Sequence, residues 1–144
     1  MVKRHNNVKI ITDIKNQNVS GLCKIASDYE SIIEQIIPQI YETESYDKVK
    51  RLGYNDIIFT VYKTSMTNDE ILKFINKHTL YALTITLRKA FSQNLLLNLK
   101  DKNVLIYVHT VNNIEIFHYL ISLGVDGIYT DVLSKADVVS LSGE

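Results

Sequence analysis

The sequence predicts an α/β fold built on parallel strands, and three observations carry that reading. Short runs rich in Ile, Val, Phe and Thr alternate with longer stretches at helical spacing along the whole chain. The centres of these runs recur roughly every 20 to 28 residues, about the length of one strand-loop-helix unit. Several runs, Ile57-Ile58-Phe59 and Val104-Leu105-Ile106 among them, are apolar on both faces, as strands covered by helices on both sides must be. Six such units fit an open, doubly wound sheet or a portion of a (β/α)8 barrel, which usually takes about 250 residues. Periodicity alone leaves both open.

Taken in order, the first strand is expected at residues 9–13. The helix after it carries Leu22, Ile25 and Ala26 on one face, and Cys23 beside them reads as a buried, inert thiol. A second strand is expected at 36–41, weakened by Pro38, which has no N–H to give to a ladder. Tyr46, Val49 and Leu52 then mark a helix that Gly53 stops. After a strand at 56–62, Thr67-Asn68-Asp69-Glu70 spells a capping box, with Ile71, Phe74 and Ile75 as the buried stripe behind it. His78 follows that helix, where a cation suits the dipole. Strands at 80–86 and 104–109 come next, and Asn112 is expected to cap the following helix. Ile114, Phe117, Leu120 and Ile121 share one face of that helix, His118 reads as a surface residue, and Gly124 supplies the left-handed stop. The last strand is expected at 127–130. No low-complexity segment or linker interrupts the pattern, so residues 1–144 read as a single domain.

Composition excludes several functions. Sixteen Lys+Arg balance sixteen Asp+Glu, which removes the electrostatic case for non-specific binding of nucleic acid or an acidic membrane surface. With one cysteine the chain has no internal disulfide, and the fold does not depend on an oxidising compartment. The longest apolar run, residues 104–108, falls far short of the roughly 20 residues that span a bilayer. The charged start, Met1-Val2-Lys3-Arg4-His5, leads into no apolar core of a signal peptide. A soluble, cytoplasmic chain is the expectation. Zinc-ligand spacing, a Gly-rich phosphate loop and a Ser-His-Asp arrangement are all missing from the sequence.

The end of the chain separates the two architectures. Val108-His109-Thr110-Val111-Asn112, then Gly124-Val125-Asp126-Gly127-Ile128-Tyr129-Thr130-Asp131 after one helix, resembles the last two strands of the glycerophosphodiester phosphodiesterase family. There the penultimate strand commonly ends in Trp-Thr-Val-Asn and the last reads Gly-Val-Asp-Gly-Ile-Ile-Thr-Asp. Ile10-Ile11-Thr12-Asp13-Ile14-Lys15 is similar to the family's third strand, which usually carries Glu-x-Lys. The resemblance covers essentially the whole chain. It implies a partial (β/α)8 TIM barrel of about six βα units, the last six of eight, acting on a phosphodiester of glycerol. The family's first strand carries His-Arg-Gly and its second Glu-x-Asp followed by another histidine; nothing here matches either. His5 stands in no His-Arg-Gly context.

The resemblance implies a divalent metal, Mg²⁺ or Ca²⁺, with Asp13 as a ligand and Lys15 on a phosphate oxygen. Asp13 and Lys15 share strand parity at a carboxyl end, where barrel active sites assemble, and a carboxylate beside an ammonium there suits a hard cation and a phosphate. Asp13 is one methylene shorter than the family's Glu. A solvated Asp–Lys pair at a strand end is the plain structural alternative. His109 stands where the family often has tryptophan and reads as a pocket-wall or core histidine before a catalytic one. Gln39, Tyr41, Tyr62, Lys63 and Arg88 also fall near carboxyl ends of strands, Gln39, Tyr62 and Arg88 as pocket residues and the two cations as candidate phosphate contacts. Asp131 reads as a rim residue. Without catalytic histidines the chain by itself is expected to be inactive; a non-catalytic phosphate-ligand binding or assembly module is the rival. Open strand edges, with Ile11, Thr84 and Thr86 expected to lose their cover, predict self-association or a partner that supplies the missing strands.

Overall fold

A computed structural model describes residues 8–92, 94–134 and 136. Six strands form one sheet in the order β1-β2-β3-β4-β5-β6, each beside its neighbour in sequence. They are Ile10–Thr12, Ile36–Ile40, Ile58–Thr60, Ala82–Thr86, Leu105–His109 and Gly127–Ile128. A doubly wound sheet would reverse its order at a switch point. This order does not reverse, and the fold is a partial (β/α)8 barrel of parallel strands. Each strand lies inside the segment expected from sequence. The chain forms two compact units, Met1–Ala82 and Leu83–Glu144.

In the first unit β1 pairs with β2 and β2 with β3, both parallel, with Thr12 opposite Pro38 and Gln39 opposite Ile58. Pro38 does not break its strand: all five residues of β2 are buried, and the apolar contacts of Ile36, Ile37 and Ile40 outweigh one missing donor. Helix α1 (Asn18–Asp28), α2 (Tyr46–Arg51) and α3 (Asn68–Lys77) connect the strands, with 3-10 turns at Glu30–Gln35, Thr43–Ser45 and Val61–Lys63. The capping box at α3 forms as expected: the Glu70 N–H donates to Thr67 Oγ1 and the Thr67 N–H donates to Glu70 Oε2. Ile71, Phe74 and Ile75 are the buried face of that helix. At its end His78 Nδ1 lies 2.9 Å from the Phe74 carbonyl oxygen.

Two buried tyrosines fix the helices. Tyr54 Oη donates to the Leu22 carbonyl and Tyr46 Oη to the Thr79 carbonyl, each at 2.8 Å. Burial raises both phenol pKa values; for Tyr46 the Thr79 bond works against the rise and Asp47 adds to it, and for Tyr54 Cys23 adds to it. Leu22 is the buried residue of α1, whereas Cys23, expected inside, is exposed. Adjacent helical positions sit about 100° apart, so a stripe one residue wide excludes its neighbour.

The second unit holds most of β4, short helices α4 (Leu87–Ala90) and α5 (Leu95–Leu99), β5, α6 (Ile114–Ser122) and β6. β5 pairs with β6 in parallel, Tyr107 opposite Gly127. A Cβ on Gly127 would meet Tyr107 Cε1 at 2.8 Å, so a larger residue there would force the Tyr107 ring to move. Gly124, at φ 92°, closes α6 in a Schellman motif: its N–H reaches the Ile121 carbonyl and the Val125 N–H reaches that of Leu120. The expected apolar face of α6 is only partly inside. Leu120 is fully buried, Ile114 and Phe117 are half-buried and Ile121 is exposed. His118, expected at the surface, is half-buried with Nε2 shielded from solvent. Ile11 is exposed as expected for an uncovered side chain, but Thr84 is buried and Thr86 half-buried, so the cover over β4 is kept.

Candidate functional site

In the first unit the residues past the carboxyl ends of β1, β2 and β3 meet. β1 stops at Thr12, so Asp13 and Lys15 belong to the loop beyond it rather than to the strand. They still converge, because the parallel register places them beside β2: with Thr12 opposite Pro38, continuing the pairing brings Asp13 level with Gln39 and Lys15 level with Tyr41. Asp13 Oδ1 accepts a hydrogen bond from Tyr41 Oη. Asp13 Oδ2 lies 3.4 Å from Lys15 Nζ, and both side chains are about half exposed. A pair so exposed is worth little by itself; the buried Tyr41 hydroxyl is what orients the carboxylate.

Lys63, in the turn after β3, closes the group. Its ammonium donates to the Lys15 carbonyl at 3.0 Å and sits 4.9 Å from the Tyr41 ring centroid and 5.9 Å from that of Tyr62. The two rings meet edge to face at 5.7 Å. A cavity of about 460 Å³ opens here, lined by Lys15, Asn18, Ser20, Tyr41, Glu42 and Lys63 among others. Gln39, on β2, is buried, with its Oε1 accepting from Thr60 Oγ1 at 2.9 Å. Asn18 Nδ2 donates to the carbonyls of both Ile14 and Gln39, tying the β1 loop to β2.

Asp13, Lys15 and Tyr62 are thus brought together, through Tyr41 and Lys63. Gln39 is not among the lining residues; its carbonyl accepts from Asn18 and its side chain from Thr60. The remaining candidates lie in the second unit. Arg88 is an exposed residue of α4, and His109 ends β5, half-buried. Burial lowers the His109 pKa and favours the neutral imidazole. Asn112, expected to cap α6, does not: Asn113 does, its Oδ1 accepting from the Ile116 N–H. Asn112 Oδ1 accepts instead from the Asp131 N–H at 2.9 Å and from Thr130 Oγ1, pinning the end of β6 to the loop after β5. The Asp131 backbone is thereby tied to the loop after β5. His5 lies outside the described residues.

The residues that sequence reasoning undervalued are Tyr41, Lys63 and Asn18. Tyr41 carried a signal, since it follows Gln39 by two positions and so shares its face. Asn18 carried none; its role depends on two carbonyls 25 residues apart.

The resemblance implies a divalent metal, and the donor set near Asp13 does not fit one. Among the described residues no three His, Cys, Asp or Glu side chains come together. Asp13 itself already holds the Tyr41 hydroxyl and the Lys15 ammonium, while a hard cation such as Ca²⁺ takes six to eight oxygens.

The model of the glycerophosphoryl diester phosphodiesterase family matches residues 3–135. Among solved structures the chain is similar to that of a "Putative glycerophosphoryl diester phosphodiesterase" from Silicibacter pomeroyi DSS-3, with a TM-score of 0.64 and 12% sequence identity. The match covers 85% of this chain and 46% of the other, so the chain spans about half the length of that protein. No curated protein matches. Among the described residues no helix is long and apolar enough to cross a membrane.

Proposed function

The chain belongs to the glycerophosphoryl diester phosphodiesterase family, and on that premise we propose that its first unit holds the phosphate of a glycerophosphodiester at Lys15. The observation that carries this is the cavity with Lys15 at its wall and the Asp13 carboxylate oriented by Tyr41. Lys15 neutralises a phosphate oxygen, and Asp13 sets the position of Lys15. Asp13 is also the carboxylate this loop offers to a hard cation, but the described residues complete no coordination shell around it, and no step is derived through a metal. Tyr62 is a proposed pocket residue through its edge-to-face contact with Tyr41; His109 and Arg88 are proposed pocket residues of the second unit.

Phosphodiester hydrolysis needs a proton taken from water and a proton given to the leaving alcohol. The described histidine of the first unit, His78, lies against the Phe74 carbonyl and the rings of Tyr46 and Phe74, away from Asp13's partners. That favours binding without turnover by this chain alone, as in a phosphate-ligand binding module. Purified protein is expected to bind glycerophosphocholine and to hydrolyse it negligibly, and Lys15→Met to weaken the binding. Turnover that disappears in Asp13→Ala would instead assign the complete reaction to this chain; unchanged binding in Lys15→Met would remove Lys15 from the site.

A further inference from the structure

We infer that Lys63 is a second phosphate-binding residue and that Lys15 and Lys63 together select a dianionic phosphate, a monoester or free phosphate, over a diester. The inference rests on the reading of Lys15 above and extends it to a residue outside the Asp13-x-Lys15 motif. Among the described residues Lys63 makes no ion pair, a property it shares with Lys48, Lys73 and Lys77; what sets it apart is its placement. Its ammonium is nonetheless placed: one hydrogen bond to the Lys15 carbonyl and the faces of Tyr41 and Tyr62 hold it at the cavity wall. Ring faces and a carbonyl hold an exposed ammonium weakly, and neither neutralises it. A charge held beside a cavity and making no ion pair is a charge left for a ligand.

The electrostatics choose the ligand's charge state. Lys15 shares its ammonium with Asp13, and Asp13 keeps its place through Tyr41 when Lys15 turns toward a ligand. Glu42 also lines the cavity and repels anions. One partly committed cation set against a carboxylate leaves little for a diester, which carries a single negative charge. A second cation restores the balance, and its attraction doubles for a ligand with two charges. Ser20 and Ser45 on the same wall offer hydroxyl donors to the remaining oxygens. In a phosphodiesterase scaffold such a pocket holds the phosphomonoester product more tightly than the diester.

The test is calorimetric titration of the full chain at pH 8 with inorganic phosphate, glycerol 3-phosphate and dimethyl phosphate, the last a diester with no headgroup. Both dianions are expected to bind about tenfold more tightly than dimethyl phosphate, the order set by one charge-assisted hydrogen bond. The tighter of the two identifies the source as monoester or free phosphate. Lys63→Met should remove the preference and Lys63→Arg should keep it. Lys63→Gln replaces Lys63→Met if circular dichroism shows that variant unfolded. Equal affinity for dianion and diester, or a preference that survives Lys63→Met, overturns the inference. If Lys15→Met weakens all three ligands while Lys63→Met weakens none, the reading of Lys15 stands and that of Lys63 falls; if neither matters, both fall.

Discussion

The Tyr41 hydroxyl is the polar contact that makes a site out of Asp13, and its removal has a calculable cost. Tyr41→Phe keeps the ring, its edge-to-face contact with Tyr62 and its face toward Lys63, and deletes the bond to Asp13 Oδ1. A hydrogen bond to a charged group contributes about 1.5–3 kcal/mol when shielded. Asp13 is about half exposed, and water replaces much of what is lost. The expected loss is therefore about 1 kcal/mol, which lowers the urea midpoint by about 0.5 M for a slope near 2 kcal/mol per M. Urea unfolding followed by circular dichroism measures it, and a cycle with Asp13→Ala isolates the pair. Coupling near 1 kcal/mol is expected. Coupling within about 0.3 kcal/mol of zero would mean that Tyr41 does not orient Asp13, and the argument for a built site would lose its support.

Thr67→Ala removes one half of the capping box of α3 and is expected to cost about 1 kcal/mol, read as a lower thermal midpoint. His109 titrates with a lowered pKa because burial opposes its charge. The unfolded chain therefore binds a proton near pH 6.5 that the folded chain refuses, and stability should fall as pH drops from about 6.5 toward the folded value. His109→Gln should flatten that part of the midpoint-versus-pH curve; an unchanged curve removes burial as the cause. β1 and β6 end the strand order with no further partner among the described residues, and Ile11 on β1 is exposed, so light scattering at micromolar concentration should show self-association. A stable 16.5 kDa monomer would refute it.

What was legible in the sequence is what short stretches of chain decide. Ile57-Ile58-Phe59 reads as a buried strand because no solvated face remains. Thr67 and Glu70 cap α3 because the capping box closes within four residues. Gly124 ends α6 because a left-handed residue costs a glycine nothing. The errors begin where a choice between neighbours depends on the rest of the fold. Asn112 and Asn113 are equally good caps by type, and only the position of β6 gives Asn112 the Asp131 N–H to bind. Cys23 borders Leu22, yet the packing on α1 is one residue wide there.

The site belongs to the second kind. Asp13 and Tyr41 are 28 residues apart, and Lys15 and Lys63 are 48 apart. No local pattern links them; the register does. A shift of β2 against β1 by one residue would turn Tyr41 to the opposite face and leave Asp13 without its donor. The register is in turn fixed by apolar residues that take no part in chemistry, Ile36, Ile37 and Ile40 on β2 and Ile58 and Phe59 on β3. Asn18 adds a polar lock at the carboxyl end, one side-chain amide serving carbonyls of both the β1 loop and β2. The placement of Asp13, Lys15 and Lys63 is thus a consequence of strand packing: where the strands are held in register, Lys15 and Lys63 line the cavity with Asp13 paired to Lys15, and each becomes an ordinary solvated side chain where they are not.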